Sequence, residues 1–176
     1  MKNQTQSKYF RILAIAPSSR GFGFALLEGQ ETLADWGVKQ VKGDKTVESF
    51  KRVEELIIHY EPDVLVMEDA FGKNVRRSPR IKALGQEVIL LAESRKIKVA
   101  MLSREQVRRR FFARGLGSKH ALATILAQRF PEELGSSLPP KRRLWMSEDR
   151  RMDMFDAVGL ALAFRLKTTK AINPMD

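Results

Sequence analysis

The residues with the clearest capacity for chemistry are three carboxylates. Asp153 and Asp156 stand three positions apart, a spacing that puts both on one face of a helix. Phe155, Ala157, Leu160, Ala161 and Phe164 around them are apolar and would pin that helix to a core. Acids beside a packing surface are costly unless a cation accompanies them. The plainer reading is that an Asp near a helix N-terminus simply suits the helix dipole. Glu68 is the third acid and follows directly on the apolar run DVLVM. Oxygen ligands converging in a basic protein favour a hard cation, Mg²⁺ or Mn²⁺, over zinc. Other reactive types offer little. There is no cysteine, which excludes disulfides, zinc–thiolate sites and thiol catalysis. His59 and His120 are far apart and in no ligand or triad spacing, so surface or capping roles suit them better. Gly21-Phe22-Gly23 is too short for a nucleotide fingerprint and fits a tight hairpin.

The elements that must position these acids are read from hydrophobic period. Residues 10–17, 22–28 and 32–41 are short runs joined by tight turns, which predicts an antiparallel meander. The period then changes. Val47, Phe50, Val53, Ile57 and Tyr60 predict an amphipathic helix with Thr46 as N-cap, ending before Pro62. Residues 63–67 form the next strand, and a charged loop over 69–79 leads to a helix bearing Ile81, Leu84, Val88 and Leu91 on one face. A strand at 97–102 follows. Ser103 and Gln106 make a capping box for a helix that stops near Gly115, and Ser118 caps another closed by Pro131. Residues 131–148, with several prolines and little period, read as a long loop, functional or mobile. Trp145 and Met146 within it are candidates to meet a base or a partner subunit, or to anchor the loop. A last helix is expected from about Asp149 to Lys167, with frayed tails at 1–8 and 168–176.

The order βββαβαβα, with an extra helix near the end, predicts one α/β domain over residues 1–176. Its mixed five-stranded sheet, a three-stranded antiparallel meander plus parallel strands, carries helices on both faces. A right-handed crossover places strand 63–67 parallel to strand 11–16. Ala16 and Glu68 then fall at the same sheet edge, where open α/β sheets bind ligands.

Charge indicates the partner. With 32 Lys plus Arg against 21 Asp plus Glu, the net charge is +11 and the pI near 10.2, which favours polyanions and nucleic acid above all. The basic residues cluster: Lys73, Arg76, Arg77, Arg80 and Lys82; Arg104, Arg108, Arg109, Arg110, Arg114 and Lys119; Lys141, Arg142, Arg143, Arg150 and Arg151. Such clustering is expected of a phosphate-binding face. Lys119, opening a helix near the acids, suits either a phosphate or solvent. No apolar stretch approaches the ~20 residues of a membrane span, and the polar N-terminus lacks a signal-peptide run. The expectation is a soluble protein of a bacterial or phage-type cytoplasm.

Several segments together resemble the RuvC-type Holliday junction resolvases of the ribonuclease-H-like superfamily. ILAIAPSSRGFGFAL is similar to their first hairpin, PDVLVMEDAFGKN to their second motif, IKALGQ to the start of the next helix, SREQVRRRFFARGLGS to a segment that binds the DNA backbone, and DMFDAVGLALA to the closing acidic motif. The resemblance covers most of the chain. It implies a ribonuclease-H-like fold and a structure-selective endonuclease that cuts branched DNA with two divalent ions (Mg²⁺ or Mn²⁺) held between carboxylates. It also implies a homodimer matched to the two symmetric cleavage points of a four-way junction. Glu68, Asp153 and Asp156 would be the catalytic metal ligands. Phe71 would stack on or intercalate between bases. Lys73, Asn74, Arg76, Arg77, Arg80, Arg108, Arg109, Arg110, Lys119, Arg142 and Arg143 would face the nucleic acid.

One position departs from the pattern. Where the family carries the first-strand Asp that bridges both ions, this chain has Ala16, and Ser18 replaces a Gly nearby. A methyl group binds no cation. Three explanations stay open: a deliberate change that traps a substrate complex, a binding protein that has lost cleavage, or a neighbouring acid such as Asp69 taking over. A non-catalytic branched-DNA binder and an RNA-processing nuclease of the same fold are therefore the alternative functions.

Overall fold

The computed structural model describes residues 9–172, with side chains through Lys167. Five strands, β1 (Arg11–Pro17), β2 (Gly21–Glu28), β3 (Thr32–Gln40), β4 (Val64–Glu68) and β5 (Lys98–Leu102), form one sheet in the order β3-β2-β1-β4-β5. The first three are antiparallel, and β4 and β5 join parallel to β1. The mixed five-stranded sheet expected from the order of elements is the sheet observed.

β1 is apolar along its whole length because it is central and buried on both faces. Ile12, Ala14 and Ala16 point to one side, Leu13 and Ile15 to the other, as the two-residue strand period requires. On the Leu13 side lie α1 (Lys45–Tyr60) and α2 (Pro79–Ser94), through Val53, Leu56, Ile57, Leu84 and Val88. On the Ala16 side lies α6 (Met152–Ile172), covered in turn by α3 (Arg104–Phe111) and α4 (Lys119–Arg129). Sandwiched between sheet and helices, α6 is apolar nearly all round: Met154, Phe155, Ala157, Val158 and residues 160–164 are buried.

Several expected boundaries shift. The N-cap of α1 is Asp44, not Thr46; its carboxylate accepts the Thr46 and Val47 N–H groups at 3.1 and 3.2 Å and also suits the dipole. Val47 is exposed rather than on the packing face. The Ser103–Gln106 capping box and the Ser118 cap are present as read. α3 stops at Phe111, because Phe112 turns extended and Arg114 and Gly115 take left-handed φ values of 60° and 66°. The segment 131–148 is not all loop: α5 (Pro131–Leu134) begins with the proline that seemed only to end α4, and it buries Leu134. α6 runs to Ile172, past the expected Lys167, so residues 168–172 are helical rather than a frayed tail. The tails 1–8 and 173–176 lie outside the described residues. Among the described residues no helix is long and apolar enough to cross a membrane.

Candidate acidic centre and nucleic-acid interface

Backbone proximity sets the position of the acids. A Cβ on Gly23 would lie 1.9 Å from the Asp153 carbonyl oxygen, so only glycine lets the start of α6 rest directly on β2. Gly23 is the cross-strand partner of Ala16, which places the first turn of α6 over the end of β1. Glu68, next in register beyond the Ile15–Met67 pair, follows Val64 and Val66 on the same sheet face. Ala16, Glu68, Asp153 and Asp156 thus share one edge and one face, as the topology requires.

Within that edge the carboxylates divide. Glu68, its side chain 13% exposed, is held by Arg104 Nε at 2.7 Å on Oε1 and by Arg77 Nη2 on Oε2. Asp153 and Asp156 converge instead with Glu148, one carboxylate oxygen from each lying within 4.8 Å of the others. Glu148 is not among the residues the sequence singles out; it sits in an aperiodic basic stretch, where its acidity is the one available signal. Asp69, the acid considered as a substitute, stays outside this cluster and accepts the Phe71 N–H at 2.9 Å. Ala16 is buried and brings its methyl to the same face.

Lys119, the first residue of α4, reaches into the cluster. Its Nζ lies 2.8 Å from Asp156 Oδ2 and also pairs with Glu148. Burial pulls the ammonium down, but Asp156 and Glu148 outweigh it and hold Lys119 above its ordinary value. Burial pushes Asp156 up to about 6, against the opposing pull of Lys119. Asp153 is raised by burial too, opposed by a hydrogen bond from the Ser18 side chain and by Lys119. Ser18 therefore supplies a hydroxyl to the centre. Hard oxygen donors this close fit one divalent cation between Glu148, Asp153 and Asp156. A two-ion arrangement with four carboxylates would need an oxygen donor where Ala16 stands and the release of Glu68 from its two guanidinium partners.

The basic residues also divide. Arg80 donates to the Ser18 carbonyl at 2.8 Å, and Arg77 is on Glu68, so both brace the site from within. Arg109 pairs with Glu105 one turn away. Arg108 is half-buried and lines a cavity with Glu68, Arg104, Lys119 and Asp156. Arg110 is half-buried on the same helix, while Lys73, Asn74, Arg76, Arg142 and Arg143 are exposed. An adjoining open cleft of about 460 Å³ is lined by Arg20, Arg80 and Arg150 together with Asp153 and Asp156. Phe71 belongs to neither apolar cluster: it is 40% exposed and leans on α2 at Gly85, where a Cβ would meet its ring at 3.7 Å. Trp145 and Met146 are exposed and do not anchor their loop.

No protein-family model matches the sequence, and no curated protein does. Solved structures do match. A Thermus thermophilus RuvC structure superposes with a TM-score of 0.67 at 17% identity, covering 92% of this chain and 97% of that one. T. thermophilus RuvC in complex with Holliday junction substrate gives 0.67 and 17%, covering 92% of this chain and 96% of that one. The yeast mitochondrial Holliday junction resolvase Ydc2 gives 0.58 and 15%, covering 93% and 82%. The fold is RuvC-like, within the ribonuclease-H-like class.

Proposed function

We propose that this chain is a divalent-metal-dependent endonuclease directed at branched DNA, with an acidic centre reduced to a single cation position. The observation that carries the reading is the meeting of Asp153, Asp156 and Glu148 at the C-terminal edge of β1 and β4, in a cleft also lined by Arg20, Arg80 and Arg150. Glu148, Asp153 and Asp156 would hold the ion, Mg²⁺ or Mn²⁺. Bound there, such an ion would stabilise charge on a phosphodiester and make a water molecule more acidic.

The chain's own groups do the rest. Lys119 holds Asp156 and Glu148 in place and adds positive charge to the lining of the cleft. Arg108, beside Asp156 in the same cavity, would position a backbone phosphate. Lys73, Asn74, Arg76, Arg142 and Arg143 would extend contacts along the arms, and Phe71 would meet unstacked bases. A two-fold pair of chains would suit the symmetry of a four-way junction.

A second reading is binding without cleavage. It is favoured by the buried methyl of Ala16 and by the double guanidinium pairing of Glu68. The two separate on a labelled four-way junction incubated with Mg²⁺ or Mn²⁺. Slow cleavage by the protein, lost in Asp153→Asn and accelerated in Ala16→Asp, supports the nuclease. Tight junction binding with no cleavage by either the protein or Ala16→Asp supports the binder.

A further inference from the structure

The segment between α5 and α6 presents an apolar tip that no packing accounts for. The Met146 N–H donates to the Arg143 carbonyl at 3.0 Å, closing a turn whose two corners are Leu144 and Trp145. Turn corners ordinarily carry Gly, Asn, Asp or Pro, for conformational reasons. Here Leu144 is 100% exposed, Trp145 77% and Met146 44%. The Arg143 guanidinium carbon lies 5.5 Å from the centre of the Trp145 ring, covering one face and leaving the other open.

The tip is held from both sides. The Pro139 carbonyl bonds His120 Nε2 at 2.9 Å and Glu148 bonds Lys119, so the segment stands on two consecutive residues at the start of α4. Asp149 adds a clamp, accepting the Arg151 backbone N–H at 2.9 Å and its guanidinium Nη2 at 2.7 Å. Its far foot, Glu148, is a member of the acidic cluster, so the tip rises beside the centre.

We infer that Trp145, backed by Arg143, is a base-stacking platform for nucleotides unpaired at the branch point of a nucleic acid. An indole with one face sandwiched by a guanidinium and the other open is suited to a base, whose π-face stacks irrespective of sequence. Lys141, Arg142 and Arg150 are exposed on either side and would neutralise the phosphates of the same strand. A second copy of this chain is the poorer occupant, because it would set these cations against their own duplicates. The inference rests on the branched-DNA reading for where the unpaired bases come from, and it adds a stacking residue separate from Phe71.

The full-length protein tests it, with Trp36→Phe leaving Trp145 as the sole indole of the two. Three probes are titrated: a single-stranded oligonucleotide, a four-way junction and a duplex of equal length. Trp145 emission is expected to be quenched by the first two and little changed by the duplex. Trp145→Ala is expected to lose roughly tenfold in junction affinity with duplex affinity unchanged, and Trp145→Phe to retain most of it. Should Trp36→Phe impair folding, the difference between wild-type and Trp145→Phe emission gives the same readout. Unchanged emission at saturating junction, with junction preference intact, overturns the platform and leaves the branched-DNA reading standing. Quenching by the oligonucleotide without any junction preference does the reverse. If Trp145→Ala converts a dimer to a monomer in sedimentation and no probe quenches Trp145, the tip is a contact between copies and the inference is wrong.

Discussion

Glu68 and the Asp153–Asp156–Glu148 cluster lie on one face of one sheet edge and experience opposite electrostatics. Glu68 has a guanidinium on each oxygen. Asp153 and Asp156 are half-buried and raised by desolvation, with Lys119 as the nearest cation and Glu148 adding further negative charge. The difference lies in the partners, since Glu68, Asp153 and Asp156 are all carboxylates at the end of a core element. An acid already satisfied by two arginines braces the loops that supply them, here residues 69–78 and the start of α3. Acids crowded together under burial form the place where an added cation relieves the most repulsion.

The largest effect follows from that contrast. Asp153→Asn or Asp156→Asn should weaken Mn²⁺ binding, followed by calorimetry, by roughly a hundredfold, since loss of mere supporting contacts already costs about 10–100-fold at metal sites. Glu68→Gln should change it far less. Equal losses in all three would erase the distinction and restore Glu68 as a ligand. Stability should rank the other way. Glu68→Gln leaves Arg77 half-buried without its anion, and a loss of about 1–2 kcal/mol, or roughly 3–6 °C in Tm, is expected. Ala16→Asp should also melt lower without divalent ions, because it sets a further carboxylate beside Asp153 and Asp156. Mg²⁺ should narrow that gap, and a gap unmoved by Mg²⁺ would detach position 16 from the centre.

The smallest effect is in pH. Asp156 titrates at about 6 in the folded protein, above its ordinary 3.8. The folded state therefore binds the proton more tightly than the unfolded one. That contribution favours folding below the ordinary value and is lost as pH rises through about 6. Metal-free protein should lose about 1 kcal/mol between pH 5 and 7 relative to Asp156→Asn, measured by denaturant unfolding. Parallel pH curves for the two would show that Asp156 is solvated rather than pressed into the cluster.

Periodicity and capping carried the fold. The continuous burial of β1 and the apolar faces of α1 and α2 are written in side-chain type, and Ser103 and Ser118 cap their helices by local geometry alone. What stayed hidden depends on contacts between segments distant in sequence. Glu148 has no period to mark it, and it joins the acids because Lys119, 29 residues earlier, draws it in. Arg77 and Arg104 read as phosphate ligands by charge, yet folding turns both onto Glu68. Asp44 displaced Thr46 as a cap because either residue type can serve, and only the path of the chain chooses. The acidic pair on α6 and the missing oxygen at Ala16 were visible because each is a matter of residue identity at a strand or helix end.

The proposed recognition of branched DNA is tested most directly by a comparison of affinities. The full-length protein is titrated, without divalent ions and at near-physiological salt, against a four-way junction and a linear duplex of the same length and composition. The junction should bind at least roughly tenfold tighter, and both affinities should fall by orders of magnitude over a few-fold rise in salt. Equal affinity for the two substrates would contradict the assignment and leave a basic protein that binds DNA by charge alone.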